Sequence, residues 1–121
     1  MHINAHIKMA IAPYISHFTQ REIRIIFNKA RRVYSDSGLV LLMHPSTKDF
    51  GRILVITSRK VGNAPERNKI RRRLKAIFYK EKLYTAKQDC FVIIKKPGID
   101  YSTAKLTDIL QHSFTPFAQQ S

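Results

Sequence analysis

Apolar residues recur at helical spacing in three separate parts of the chain. The first part follows Thr19 and Glu22, which stand three residues apart as in a capping box, where each side chain accepts a hydrogen bond from the other residue's backbone amide. The apolar positions after this cap recur at i, i+3, i+4 and i+7, which is the spacing of one helical face. We therefore predict a helix over residues 20–31 whose apolar face carries Ile23, Ile26, Phe27 and Ala30.

The same spacing predicts a second and a third helix. A turn over residues 61–65 precedes the second helix, which should begin near Glu66 and end near Tyr84. Its apolar positions follow the i, i+4, i+7, i+8 pattern and are Ile70, Leu74, Ile77 and Phe78. Asp100 or Ser102 can cap the third helix, which should end before Pro116 and whose apolar side contains Leu106, Ile109, Leu110 and Phe114.

Three short apolar runs outside these helices are predicted to be β-strands. The runs cover residues 38–44, 52–58 and 90–95, and the second is rich in β-branched side chains. Residues 45–51 have the composition of a loop, so we predict that the first two runs pair as an antiparallel hairpin. The order helix, strand, strand, helix, strand, helix indicates an α+β fold, a single compact domain in which helices cover a small sheet.

Charge adds a prediction about the partner of this domain. The 121 residues include 22 Lys and Arg but only 8 Asp and Glu, which gives a formal net charge of +14. Eleven of the 22 basic residues lie between Arg52 and Lys82, where the only acidic residues are Glu66 and Glu81. A positive excess of this density favours a polyanionic partner, of which nucleic acid is the commonest.

The middle helix concentrates part of this charge on one side. At 100° per residue, four residues form a stripe roughly opposite the predicted buried face, and these are Asn68, Arg72, Lys75 and Tyr79. The stripe is flanked by Arg67, Lys69, Arg71 and Arg73. Guanidinium groups can bind phosphate oxygens through two parallel hydrogen bonds, and lysines act as point charges. Almost no acidic residue stands four positions from one of these basic residues, where it would relieve their mutual repulsion. This arrangement favours a nucleic-acid surface over a helix face that is merely exposed to water.

Other classes of function lack the residues they need. Cys90 is the only cysteine, which excludes an intrachain disulfide and a cysteine-based zinc site, and we expect it to be a buried strand residue. The carboxylates are few and scattered, so no catalytic residue is predicted. His2 and His6 form the only histidine pair at ligand spacing, so no metal site is predicted either. No apolar run reaches the roughly 18 residues that span a bilayer, and we expect a cytoplasmic protein without a membrane partner.

One segment has the pattern of a known family. Residues 58–74 read SRKVGNAPERNKIRRRL, with Gly-Asn-Ala and Arg-Asn in register. This run closely resembles the signature of the protein subunit of bacterial ribonuclease P, and the similarity extends over residues 18–114. It implies a fold like that of a ribosomal-protein domain, with an unusual left-handed strand, helix, strand unit. We assign residues 18–117 to one RNA-binding domain, 1–17 to an N-terminal segment and 118–121 to a tail.

The resemblance also implies a function. Proteins of this family assist a catalytic RNA, which cleaves precursor tRNA endonucleolytically, removes the 5′ leader and leaves the mature 5′ end. The protein would supply no catalytic residue and no cofactor, and Mg²⁺ would be bound mainly by RNA. The expected partners are ribonuclease P RNA and precursor tRNA. Residues matching the motif that would contact RNA are Arg59, Lys60, Gly62, Asn63, Arg67, Asn68, Arg71, Arg72 and Lys75, to which we add Lys69 and Tyr79.

Family members hold the single-stranded leader in a cleft between the first helix and the sheet. Phe27 matches an aromatic residue of that cleft, but Ile23 stands where the family has another. Leu41 and Leu42 end the first predicted strand, where the family often has a Tyr. Lys69 replaces the last Arg of the Arg-Asn-Arg triplet, which keeps the charge but loses the guanidinium fork. The resemblance thus implies a leader cleft with fewer stacking side chains than usual.

Three alternative functions are open at this point. A ribosomal or general RNA-chaperone protein of the same fold would bind precursor and mature tRNA complexes equally, whereas a leader cleft would favour substrates that carry a 5′ leader. A protein-only nuclease would cleave RNA unaided, although the sequence has no carboxylate cluster for it. A basic membrane-surface protein would need a free apolar helix face, and the predicted helices use theirs in the core.

Overall fold

The computed structural model describes residues 14–117. These residues form three α-helices, which are α1 (Gln20–Lys29), α2 (Ala64–Lys80) and α3 (Thr103–Phe114). They also form four β-strands, which are β1 (Arg31–Ser35), β2 (Leu39–Pro45), β3 (Ile53–Ile56) and β4 (Gln88–Ile94). The mixture of one sheet with packed helices confirms the predicted α+β class.

The sheet has the strand order β1-β2-β4-β3. Strand β2 is antiparallel to both β1 and β4, whereas β3 is parallel to β4. The predicted hairpin between β2 and β3 is therefore wrong, because β4 lies between them. An apolar run indicates that a strand is buried but does not specify its neighbour, and the loop at residues 46–52 carries the chain past the position that β4 later fills. Helix α2 then serves as the crossover between the two parallel strands.

Strand β1 was not among the predicted elements. Arg31, Arg32 and Ser35 are exposed, and only Val33 and Tyr34 pack against the core. A polar edge strand of this kind has no apolar run that would reveal it. Its presence also shortens α1, which ends at Lys29 instead of residue 31 because Ala30 already has extended backbone angles.

The other helix boundaries follow from their caps. Helix α2 starts two residues before the predicted position because Asn63 forms a capping box with Glu66. It ends at Lys80, before the predicted end, and Lys82 adopts a left-handed φ of 55° that an α-helix does not tolerate. Of the two candidate caps of α3, Ser102 is the one that accepts a hydrogen bond, from the amide of Lys105.

The main core lies between the sheet and helices α2 and α3. Cys90, Val92 and Ile94 of β4 face this core, so by strand alternation Phe91 and Ile93 point to the other face, which α1 partly covers. Cys90 is fully buried on β4, which confirms the expected buried strand residue, and this burial raises the pKa of its thiol. Ile15 is also in the core and its carbonyl accepts a hydrogen bond from the backbone amide of Ile53, so this residue packs on the domain although it precedes position 18.

The loop between β1 and β2 is closed by the carboxylate of Asp36. Its Oδ1 accepts hydrogen bonds from the amides of Gly38 at 2.7 Å and Leu39 at 2.9 Å and from the Tyr101 hydroxyl at 2.9 Å. Its Oδ2 accepts one from the Tyr34 hydroxyl at 2.6 Å, which raises the pKa of Tyr34 to about 12. Burial raises the pKa of Asp36, but these hydrogen bonds outweigh it and lower the pKa to about 2.

Arg52 attaches α1 to the sheet from a position that is 1% exposed. Its Nε donates to Asp89 Oδ1 at 3.1 Å and its Nη2 to Asp89 Oδ2 at 2.8 Å. Its Nη1 donates to Glu22 Oε2 and to the His17 carbonyl, both at 3.0 Å, and the Phe18 ring centroid lies 4.1 Å from Cζ. Because Glu22 also completes the capping box predicted for α1, one carboxylate both caps the helix and ties it to the sheet.

We expect the stabilisation from Asp36 to disappear in acid. The pKa of Asp36 is about 2 in the folded chain and 3.8 in the unfolded chain. Its contribution to the free energy of unfolding is therefore complete above pH 3.8 and is lost as the pH falls through about 2. Asp36→Asn should therefore be less stable than the wild type at neutral pH, and the difference should shrink near pH 2. Urea unfolding followed by circular dichroism measures this, with the exposed Asp49→Asn as control. A difference that is independent of pH would contradict it.

We expect Arg52→Met to destabilise the domain by about 3 to 5 kcal/mol, because Asp89 would remain buried without its cation. Arg52→Lys keeps the charge but not the planar fork, so its loss should be smaller but measurable. Adding Asp89→Asn to Arg52→Met should recover part of the stability, since it removes the unpaired charge. Chemical denaturation of the four proteins tests this, and full stability of Arg52→Lys would contradict it.

Candidate nucleic-acid interface

Helix α2 presents basic residues on the side that faces away from the core. Ile70, Leu74, Ile77 and Phe78 are buried, as the spacing predicts. On the opposite side Asn68, Arg72 and Lys75 are exposed, and we call these three residues the α2 stripe. No described acidic residue forms an ion pair with the arginine or the lysine of this stripe. Their charges are therefore available to an anionic partner.

Tyr79 lies differently from its prediction. The sequence placed it on the solvent side of α2, but its ring is half-buried and packs against the core. It stacks on the buried Tyr84 ring with centroids 5.8 Å apart. Tyr84 belongs to the short turn that follows α2. The prediction had included this turn in the helix. Because that turn folds back on the helix, the exposed stripe ends at Lys75.

The loop before α2 is shaped by its own polar groups. Asn63 Oδ1 accepts a hydrogen bond from the backbone N–H of Glu66 at 2.9 Å, and Glu66 Oε1 accepts one from the backbone N–H of Asn63 at 2.8 Å. Arg67 donates from Nη1 to the Gly62 carbonyl at 2.8 Å. A Cβ atom at Gly62 would lie only 2.8 Å from Glu66 Oε1, so the loop approaches the helix closely there. These residues fix the loop that carries the exposed side chains of Arg59 and Lys60.

Arg71 connects the α2 stripe to the end of β3. Its Nη2 donates to Thr57 Oγ1 at 2.6 Å, and its Nη1 donates to Asn68 Oδ1 at 3.2 Å. The guanidinium is half-buried. The contact with Asn68 uses the oxygen of that side chain and leaves its amide NH2 group out of the bond. Arg71 thus orients a stripe residue in addition to contributing charge.

Lys69 lies beside the α2 stripe and faces a surface pocket. The pocket has a volume of about 110 Å³ and lies between α2 and the segment that follows β4. It is lined by both signs of charge, with the residues Glu66, Lys69, Ile70, Arg73, Ile99 and Asp100. Lys69 and Arg73 therefore flank the stripe, as predicted, but they line the same pocket as the carboxylates of Glu66 and Asp100.

The leader cleft that the resemblance implies would lie on the other face of the sheet, beside α1. Ile26 is buried under the helix, Ile23 is half-buried, and Phe27 is 46% exposed. The Phe27 ring is 6.2 Å from the fully buried Phe91 ring, which also meets Phe18 edge-on at 5.4 Å. The two residues that the resemblance placed in the cleft thus lie together on α1, and Phe27 contacts Phe91 of the sheet.

The register of the sheet shows which residues line the floor of this cleft. Phe91 stands directly between Leu42 of β2 and Leu54 of β3. Leu42 is in turn opposite Arg32 of β1, so these side chains form one row across the sheet. Leu42 and Leu54 are only half-buried, which leaves an apolar floor partly open.

Sequence reasoning missed the contribution of Phe18, Phe91 and Arg32 to this site. Alternation along β4 could have placed Phe91 on the face opposite Cys90, but the face that α1 covers depends on the tertiary fold. Arg52 was counted with the basic stretch, yet it is buried and paired with two carboxylates, so it adds no charge to the surface.

Two further observations concern the described part of the chain. Within residues 14–117, no three His, Cys, Asp or Glu side chains come together as a possible metal site, and the pair His2 and His6 lies outside this range. None of the helices there is long and apolar enough to cross a membrane.

Comparison with known proteins gives a consistent result. The sequence model of the Ribonuclease P family matches residues 18–117. The Ribonuclease P protein component of Petrotoga mobilis is 36% identical over 93 residues, which are 71% of this chain and 78% of the relative. That of Staphylococcus aureus is 30% identical over 87 residues, covering 72% of this chain and 76% of the relative.

Solved structures have the same fold. The Staphylococcus aureus RNase P protein superposes with a TM-score of 0.72 at 24% identity, covering 86% of this chain and 95% of that one. The Thermotoga maritima RNase P protein gives a TM-score of 0.70 at 21% identity, covering 84% and 96%. Family match, relatives and fold agree, so this chain belongs to the Ribonuclease P protein family and has a role in tRNA 5′ processing.

Proposed function

We propose that this chain is the protein subunit of a cytoplasmic ribonuclease P ribonucleoprotein, in which RNA catalyses removal of the 5′ leader from precursor tRNA. The protein would bind the catalytic RNA through α2 and the loop before it, and the leader through the cleft beside α1. The observation that carries this proposal is that one small domain presents an exposed basic helix face and, on the other face of its sheet, the partly exposed ring of Phe27 beside an apolar row.

The α2 stripe supports binding to the catalytic RNA. Arg72 and Lys75 are exposed on the helix, and Arg59 and Lys60 are exposed on the loop before it. Phosphate contacts from such side chains position a protein on RNA without reading its sequence. Asn68, oriented by Arg71, adds hydrogen-bonding groups that can meet a ribose or a base edge. A folded RNA with closely spaced phosphates fits this arrangement.

The cleft supports binding of a single-stranded leader. An unpaired base can stack on the exposed part of the Phe27 ring, and base–aromatic stacking contributes about 1 to 3 kcal/mol per base. Ile23 and Leu42 offer apolar contact but no π face, so Phe27 is the stacking residue of this wall. Binding should accordingly tolerate many leader sequences.

In this proposal the chemistry belongs to the RNA. Two of the carboxylates, Asp89 and Glu22, are paired with Arg52, and Asp36 accepts four hydrogen bonds within the fold. They hold the structure together and are not directed at a substrate. Mg²⁺ would then be held mainly by RNA phosphates, with the protein lowering the concentration needed by adding fixed positive charge.

We expect the purified protein to restore precursor tRNA cleavage by bacterial ribonuclease P RNA at a Mg²⁺ concentration too low for the RNA alone. The physical reason is that its basic residues replace part of the cation screening and retain the substrate. Single-turnover cleavage assays measure this. Protein alone, without RNA, serves as the control for a protein-only nuclease, and failure to stimulate the RNA would refute the proposal.

The assembled ribonucleoprotein should bind precursor tRNA more tightly than mature tRNA. A protein that acts as a general RNA chaperone would raise the affinity for precursor and mature tRNA equally, because it would have no binding site for the leader. Equilibrium binding of the two RNAs to the same assembly separates these functions. Phe27→Ala should reduce the preference for the precursor by roughly tenfold, the value of one lost stacking contact.

Arg72→Ala and Lys75→Ala should leave the fold unchanged and weaken binding to the catalytic RNA, because both side chains are exposed. If the wild type makes roughly six phosphate contacts, its affinity for the RNA should fall by two to three orders of magnitude between about 50 and 200 mM salt. Each variant should lower the slope of log affinity against log salt by about one, which corresponds to one lost phosphate contact. Lys105→Ala, on α3, is the control. A salt response that the two substitutions do not change would contradict the assignment of the stripe.

A further inference from the structure

A second group of basic residues lies outside the family motif. It occupies the outward side of α1 and the edge strand β1, and we call it the α1–β1 surface. Its five members are all exposed and are Arg21, Arg24, Lys29, Arg31 and Arg32. None of them is among the residues predicted to contact RNA. They are divided between α1, which the sequence predicts, and β1, which it does not.

The charges of this surface are not neutralised within the protein. Between residues 18 and 35 the only acidic residue is Glu22, and its carboxylate is occupied by the cap of α1 and by Arg52. In the range 14–117 none of the five basic side chains forms an ion pair. Arg21 and Arg24 stand three residues apart on one helix, so their repulsion is unrelieved. Such a surface favours an anionic partner.

The position of the surface indicates which anion it meets. Arg32 belongs to the same row across the sheet as Leu42 and Phe91, so its side chain stands on the cleft side of β1. Arg24 is three residues before Phe27, which places it beside that ring on α1. The apolar cleft is therefore bordered by guanidinium groups on both elements.

The α1–β1 surface is separate from the α2 stripe. Helix α1 covers the sheet face that carries Phe91, whereas α2 packs on the opposite face with Cys90 and Val92. The two basic surfaces therefore lie on different faces of the sheet. A strand stacked on Phe27 would lie beside the α1–β1 surface, because Arg24 is on the same helix and Arg32 is in the same row as Phe91.

We infer that the α1–β1 surface binds the phosphates of single-stranded RNA where the strand leaves the cleft. This rests on the proposed function and extends it, since the leader is then held by charge as well as by stacking. The inference also fits the shortage of aromatic side chains, because Ile23 and Leu42 cannot stack on bases. Leader binding by this chain is accordingly dependent on leader length and on salt, and little dependent on leader sequence.

The test uses the double variant Arg24→Gln with Arg32→Gln in the assembled ribonucleoprotein. Precursor tRNAs carry leaders of roughly four or twelve nucleotides, the range that a single-strand site covers. Loss of two contacts should weaken binding of the long-leader substrate by roughly tenfold at low salt. It should also lower the slope of log K against log salt by about 1.4, while the short-leader substrate changes little.

A matched control removes the same charge elsewhere, through Lys48→Gln with Lys105→Gln, and should change neither substrate. Equal losses for short and long leaders would overturn the inference, as would a loss confined to binding of the catalytic RNA. The isolated protein is also titrated with a fluorescent single-stranded oligonucleotide, where the arginine variant should bind more weakly than the control. That measurement decides the inference even if the wild type fails to stimulate the catalytic RNA, which would refute the proposed function alone.

Discussion

The arrangement of the site depends on the buried guanidinium of Arg52. It joins Asp89 of β4 to Glu22 in the first turn of α1, and so fixes the helix over one face of the sheet. Removing these charges from water is costly, and only the nearly complete set of hydrogen bonds offsets that cost. Without this connection α1 would be held mainly by Ile26 and the ring contacts of Phe27. The position of Phe27 beside Phe91 therefore depends on an ion pair in the interior of the domain.

Those features of the fold that depend on short-range periodicity could be predicted from the sequence. The buried side of α2, the cap at Thr19 and the exposure of Arg72 and Lys75 all follow from helical spacing and local hydrogen bonding. Strands β2 and β4 were found within one or two residues because their apolar runs are continuous. The family motif added an expectation of which residues contact RNA, since spacing alone indicates a polyanion and no particular RNA.

The features that could not be predicted depend on which elements meet in space. Strand β1 is polar because it is an edge, and the pairing of β2 with β4 joins residues far apart in sequence. Arg52 looks like any other basic residue until Asp89 and Glu22 are placed beside it. Tyr79 has the helical phase of an exposed residue, but the turn after α2 folds back and brings Tyr84 against its ring.

Helix α2 also forms most of the connection between the parallel strands β3 and β4. In the proposed ribonucleoprotein, the element that binds RNA is therefore the same element whose docking completes the sheet. A ligand that binds only the folded state stabilises it by mass action, and RNA phosphates would also relieve the mutual repulsion of a chain with a net charge of +14. The catalytic RNA would then act as a folding partner, so that core substitutions too severe for the free protein could be tolerated in the assembled particle.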